Sequence, residues 1–248
     1  MPQLFWGGDA TLDAHITGIG WVTAAGMGSA RDHQQFAMPH GPLPEIDPAT
    51  IFEEPYPNFR RMDAYSRLGL TAIAFALMDA ELENWTHERD IGIIASTVYG
   101  CLGTDVDYYQ SVIPDRGAGA SPALFSYTLS NSYLGEAAIR FGLTGTNYVV
   151  TEQHPGGLAG LQTALVYIGC GDVQKALCGV CDVGCPEVFG ITDRVPPGAV
   201  FLMLEKFAAE ERSIYGRIQM SPSGDLLYNG SKISDLSDLI QNCIANKG

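Results

Sequence analysis

Positive charge is scarce in this chain. Fourteen Lys and Arg stand against 28 Asp and Glu among 248 residues, a formal net charge of −14. That balance repels phosphate backbones and anionic headgroups, which argues against nucleic acid and charged membrane surfaces as partners. Long apolar runs are missing too. No window reaches the roughly 18 uncharged apolar residues that a membrane span needs. The opening Met1-Pro-Gln-Leu-Phe-Trp-Gly-Gly-Asp9 has no basic n-region, so no secretory leader is expected and the chain is expected in the cytoplasm. Histidine is sparse as well, at positions 15, 33, 40, 87 and 154 only.

Cysteine occurs six times, and Cys178-x-x-Cys181-x-x-x-Cys185 has a spacing that invites a metal or redox reading. The first two lie in an apolar run of strand character, Lys175-Ala-Leu-Cys-Gly-Val-Cys-Asp182. On a strand, residues three apart point to opposite faces, so these thiols cannot easily share one ion. Buried, reduced and inert cysteines are the expectation, with no metal and no cofactor.

Hydrophobic residues make up 46% of the chain, enough to bury a substantial core as one large domain. His15–Ala24 reads as a first strand ending in the turn Ala24-Ala-Gly-Met-Gly28. The six prolines between residues 39 and 57 mark a surface excursion over 29–59. Apolar positions then recur at helical spacing over Ser66–Leu82. Ile91–Thr97 is a continuous apolar run of the kind found in parallel sheets covered on both faces. Helices follow over Thr104–Ile113, Ser132–Phe141 and Pro155–Ile168, and strands over Asn147–Thr151, Lys175–Val183, Ala199–Glu205 and Ile214–Met220. Strands alternating with helices imply an α/β fold with a largely parallel sheet. From Ser221 the composition changes, and the weak amphipathic stretch Leu236–Ile244 reads as a docking helix or a frayed end.

The most informative segment is Tyr148-Val-Val-Thr-Glu-Gln-His-Pro-Gly-Gly-Leu158. A β-run, a Gly-rich corner and an almost wholly apolar helix together hold one side chain at a helix N-terminus, where N–H groups and the dipole favour negative charge. No Ser or Cys stands there; Gln153 or His154 takes the tip. His154 reads as a turn residue or a hydrogen-bonding group for a carbonyl-bearing ligand, and the helix terminus disfavours its protonated form. Gln153 reads as a completing turn residue or a polar plug. Cys101, in Tyr99-Gly-Cys-Leu-Gly103, is a third candidate with no identifiable base beside it. The helix from Leu158 to Ile168 carries apolar residues around most of its circumference and is expected to be buried on all sides.

Four stretches occur in a telling order: Ile16-Thr-Gly-Ile-Gly-Trp-Val-Thr23, Arg60-Arg-Met-Asp-Ala-Tyr-Ser-Arg67, Ser121-Pro-Ala-Leu-Phe-Ser-Tyr-Thr-Leu-Ser-Asn131 and Ala138-Ile-Arg-Phe-Gly-Leu-Thr-Gly-Thr-Asn147. Over residues 15–206 the sequence resembles the N-terminal half of the β-ketoacyl synthases and their chain-length-factor relatives, in the thiolase-like superfamily. The resemblance implies an α/β thiolase-like half-fold with a mostly parallel mixed sheet and a buried central helix. It also implies a domain over 1–220 and a tail over 221–248.

Departures from that family shape the functional expectation. The catalytic members keep Cys where Gln153 or His154 stands here, whereas a Gln before a Gly-Gly corner resembles the chain-length factors. None of the five histidines matches those that the second half of the enzymes supplies. The resemblance therefore implies a non-catalytic, chain-length-factor-like subunit in fatty-acid or polyketide synthesis, which pairs with itself or with a catalytic ketosynthase. Apolar surface around the central helix is expected to find cover on that partner. An acyl carrier protein, itself acidic in the resembling families, is expected to dock through the partner. Two alternatives stay open: an acyltransferase completed by another chain through His154 or Cys101, and an acyl-ligand-binding module.

Overall fold

The computed structural model describes residues 11–32, 35–153, 156–184, 195–208 and 215–246. Strand β1 (Leu12–Thr23) turns at Ala24-Ala25 into β2 (Gly26–Ser29), so the expected turn is a hairpin in which Thr23 pairs with Gly26 and Gly20 with Ser29. The proline-rich excursion carries two 3-10 turns, Pro48–Thr50 and Pro57–Arg61. Each opens on a proline, whose missing N–H costs nothing at a helical start. Helix α1 (Ala64–Asp79) begins where the Asp63 carboxylate accepts from Ser66 N at 2.9 Å.

The alternating elements follow: β3 (Ile91–Thr97), α2 (Leu102–Val112), the short α3 (Pro122–Phe125), α4 (Ser132–Phe141), β4 (Asn147–Thr151), α5 (Leu158–Cys170), β5 (Lys175–Asp182) and β6 (Gly198–Glu205). The chain then adds β7 (Gly216–Met220), β8 (Leu226–Tyr228), β9 (Ser231–Lys232) and α6 (Leu236–Ala245). Among the described residues no helix is long and apolar enough to cross a membrane.

The sheet runs β4-β3-β5-β6-β1-β7-β8-β9, with β2 against β1. Strand β3 is parallel to both β4 and β5, and β6 is antiparallel to both β5 and β1. Four of the five central strands therefore point one way with β6 reversed, giving the mixed α/β sheet expected. Every residue of β3 and of β6 is buried, which requires cover on both faces. Helices α1 and α4 pack with Ile93, Leu177 and Phe201 on one face; α5 and α6 pack with Ile94, Leu202 and Leu204 on the other. Cys178 belongs to the second layer and Cys181 to the first, so the two thiols do face opposite ways.

Two helices sit on the sheet through glycines. A Cβ at Gly20 of β1 would collide with the backbone of α1 at Ala76. A Cβ at Gly160 of α5 would lie 3.0 Å from the Gly179 carbonyl oxygen and 3.2 Å from Ser96 N.

Helix α5 is not buried on all sides. Gly160, Leu161, Ala164, Leu165 and Ile168 are buried, but Leu158, Val166 and Tyr167 are only half-buried and Cys170 is exposed. Nor must all cover come from elsewhere, because the tail supplies part of it. Leu236, Leu239, Ile240, Cys243 and Ile244 of α6 are buried in the same apolar cluster as α5. Each buried aliphatic side chain contributes about 2 kcal/mol before ordering costs, so docking wins over fraying. The tail is also anchored by polar bonds: Leu236 N donates to the Gly156 carbonyl at 3.0 Å, and Asp235 caps α6 by accepting from Asp238 N at 2.8 Å.

Asp79 ties the first elements together. Its buried carboxylate accepts from Ile19 N at 2.7 Å, Arg31 N at 2.9 Å and the Tyr215 hydroxyl at 2.9 Å. These bonds join α1 to β1, to the segment after β2 and to the approach to β7. Asp79→Ala leaves those donors unmet, and urea unfolding is expected to show a loss of about 3 kcal/mol. An unchanged midpoint would remove Asp79 from this linking role.

Candidate functional site

Ligands in open α/β sheets bind beyond the carboxyl ends of the parallel strands. Here a cavity of about 240 Å³ opens at that place, where β3, β4 and β5 end at Thr97, Thr151 and Asp182. Its polar wall includes Thr97, Glu152, Asp182, Asp235 and Ser237. Its apolar wall includes Val98, Val180, Val200, Leu236 and Ile240.

Asp182 is fully buried at the end of β5. Its carboxylate accepts from the Thr97 hydroxyl at 2.7 Å, from Tyr99 N at 2.8 Å and from Val98 N at 3.0 Å. The Thr97 oxygen accepts in turn from Gly100 N at 2.7 Å. This pair fixes the turn that leaves β3. Burial pushes the Asp182 carboxyl above the ordinary carboxylate range, and the bonds from Tyr99 N, Val98 N and Thr97 hold that rise back.

Glu152 follows β4 directly. Its N–H donates to the Thr97 carbonyl at 2.8 Å, and its Oε1 accepts from Ala159 N at 3.1 Å in the first turn of α5. The residue at the cap itself, Gly157, has φ 67° and no side chain to offer. The carboxylate that satisfies this helix end therefore comes from seven residues upstream. One N–H of the α5 N-terminus, a place that suits an oxyanion or thiolate, is thereby taken by a side chain of the protein itself.

Of the three sequence candidates, Gln153 is exposed and forms no part of the cavity wall. His154 lies outside the described residues. Cys101 is buried at the start of α2, away from the wall, with Sγ 3.5 Å from Ser130 Oγ and 3.7 Å from Asp105 Oδ2. Burial pushes its thiol up, the neighbouring Asp105 charge adds to that, and the bond with Ser130 opposes it. Such a thiol stays protonated at neutral pH and is a poor nucleophile. Among the described residues no cysteine and no histidine lines the cavity. The residues that sequence reasoning missed are Thr97, Glu152 and Asp182. The legible signal was a lone carboxylate at the end of an apolar strand, seen in Asp182 and one residue beyond β4 in Glu152.

The raised pKa values of Asp79 and Asp182 have a consequence for stability. An unfolded carboxyl titrates near about 3.9, so above that pH the folded chain holds protons that the unfolded chain has lost. The contribution of these two groups to stability is then expected to rise as pH is lowered from neutrality toward that unfolded value, and to fall in the reverse direction. Urea midpoints over that range check it, and Asp182→Asn is expected to flatten the slope. Midpoints that fall on acidification would contradict the assignment.

No curated protein is a significant match to the chain. Solved structures do match, beginning with the ishigamide ketosynthase/chain length factor, with TM-score 0.67 and 19% identity over 84% of this chain and 62% of that one. The ketosynthase ApeO in complex with its chain length factor ApeC, from Xenorhabdus doucetiae, gives TM-score 0.60 and 20% identity over 80% of this chain and 81% of that one. AntDE:AntF, a type II PKS acyl-carrier protein in complex with its ketosynthase bound to the hexaketide, gives 0.62 and 16% identity, over 84% and 62%. This chain spans less than two thirds of the first and third of these, and at such identities the likeness is one of fold. The family profile described as "Beta-ketoacyl synthase, N-terminal domain" matches residues 44–196. With more than half of its length under that profile, the chain belongs to the β-ketoacyl synthase family through its N-terminal domain.

Proposed function

We propose that the chain is a non-catalytic, chain-length-factor-like subunit of fatty-acid or polyketide synthesis that helps to shape an acyl pocket. It would work in the cytoplasm, paired with itself or with a catalytic ketosynthase. The observation that carries this reading is the Glu152 carboxylate bonded to Ala159 N. A helix end already neutralised by a fixed carboxylate gives little stabilisation to a thiolate or a developing oxyanion, which are what condensing chemistry needs. The raised pKa of the Cys101 thiol supports the same reading, as does the absence of any described thiol from the cavity wall.

Pairing has separate support. Strand β4 ends the sheet, with Tyr148, Val149 and Val150 only half-buried. An edge of this kind is a template for another chain unless it is blunted or covered. Tyr109 on α2, Ile113 just after it, Phe125 on α3 and Leu129 after α3 are large apolar side chains left exposed. The solved structures of similar fold include a ketosynthase with its chain length factor and a ketosynthase with an acyl-carrier protein. With a net charge of −14, this chain is better suited to meet an acidic carrier through a partner than directly.

The test combines chemistry and association. A cerulenin-like electrophile followed by peptide mapping is expected to leave Cys101 unmodified, whereas stoichiometric acylation there would overturn the non-catalytic reading. Sedimentation of the chain, alone and with a co-expressed ketosynthase, is expected to show a stable pair. Val149→Lys is expected to weaken that pair by about tenfold or more, equivalent to about 1.4 kcal/mol. A monomer under both conditions would overturn the pairing.

A further inference from the structure

We infer that helix α6 is the specificity wall of the cavity, with Leu236 and Ile240 setting the length of an uncharged chain that it holds. The inference rests on the reading that this cavity receives an acyl chain.

The walls differ in how firmly they are set. The side made by β3, β5 and α5 is held by the Asp182 bonds to Thr97, Val98 and Tyr99 and by the close seat of Gly160 against Gly179 and Ser96. A shift of β3 against β5 there would break these bonds. The opposite side is contributed by a segment distant in sequence, the first turns of α6, through Asp235, Leu236, Ser237 and Ile240. Its position is fixed by the bond from Leu236 N to the Gly156 carbonyl, and Leu236 lies against Gly157, where an added Cβ would be 3.2 Å from the Leu236 Cβ. Ile240 stands one turn further along the same helix face as Leu236. At about 240 Å³ the cavity is small beside ligand pockets of about 300–1,000 Å³. One wall side chain is therefore a large share of the space.

Charge selects the ligand's character. Glu152, Asp182 and Asp235 all line the cavity, and among the described residues no Lys, Arg or His does. An anionic chain end would be desolvated there beside acidic side chains, which is unfavourable. The apolar residues opposite favour a neutral alkyl chain.

The test titrates the full chain with n-alkanols from hexanol to dodecanol, read by displacement of Nile red. Ile240→Ala is expected to shift the preferred length upward by about three carbons, the number of side-chain carbons removed, because truncated apolar sites take up apolar ligands. Ser237→Leu is expected to shift it downward from the same helix without removing an apolar core contact. Circular dichroism and urea midpoints identify any variant whose helix has detached, and Ser237→Leu keeps the question open to a decision if Ile240→Ala does not fold. A wild-type chain that binds with a profile unmoved by either folded variant would overturn the wall assignment alone. A wild-type chain that binds no alkanol would overturn the acyl-cavity reading together with it.

Discussion

The bond between Glu152 and the first turn of α5 governs what the corner after β4 can do. An apolar helix whose cap is a glycine has N–H groups that something must satisfy, and here the partner is a carboxylate held in place by the strand next door. Glu152 is positioned through its own N–H on the Thr97 carbonyl, and Thr97 through Asp182. The chain of bonds thus crosses from β5 to β3, to the segment after β4, and into α5. On the reading proposed above, replacing Gln153 by a cysteine is not expected by itself to give a reactive thiolate, because the adjacent Glu152 carboxyl and its bond to Ala159 N would oppose ionisation. Under the non-catalytic reading proposed above, the electrostatics of the turn would set the site apart from a condensing centre as much as the residue type at its tip does.

Much of the architecture was readable because the signals were local. Helix α4 ends at Phe141, as expected, since Gly142 takes a left-handed conformation that terminates it. Strand β4 is bounded as expected by its β-branched run. Helix α1 starts earlier than the apolar period suggests, because Asp63 rather than the first apolar residue defines the cap. The short β8 and β9 carry too few residues to show a period. The direction of β6 was not legible either: a uniformly apolar run says that both faces are covered and nothing about which way the strand points.

At the corner after β4 the sequence reading named Gln153 and His154, whereas the residue that lines the cavity there is Glu152. Adjacent positions on an extended segment face opposite ways, so a one-residue uncertainty exchanges the exposed Gln153 for Glu152, which lines the cavity. Asp182 was hidden for a different reason. Its donors lie at residues 97–99, more than eighty positions away, and only the parallel pairing of β3 with β5 brings them together. The burial of α5 was overestimated because apolar composition reports what a helix could bury. Its actual cover depends on neighbours, and here Leu158, Val166 and Tyr167 keep part of their surface.

That partial cover bears on how two chains could meet. Helix α6 lies in the same apolar cluster as α5 and closes one side of the cavity, with five of its side chains buried. A second molecule approaching over that region would have to displace a docked helix and re-expose those side chains, at a cost of several kcal/mol. The free edge of β4 carries no such penalty, since its outer backbone groups face away from β3 and its side chains are already half-exposed. Under the pairing proposed above, association is therefore cheapest along the edge strand. The cavity wall built by α6 can then stay in place while the subunit is bound to its partner.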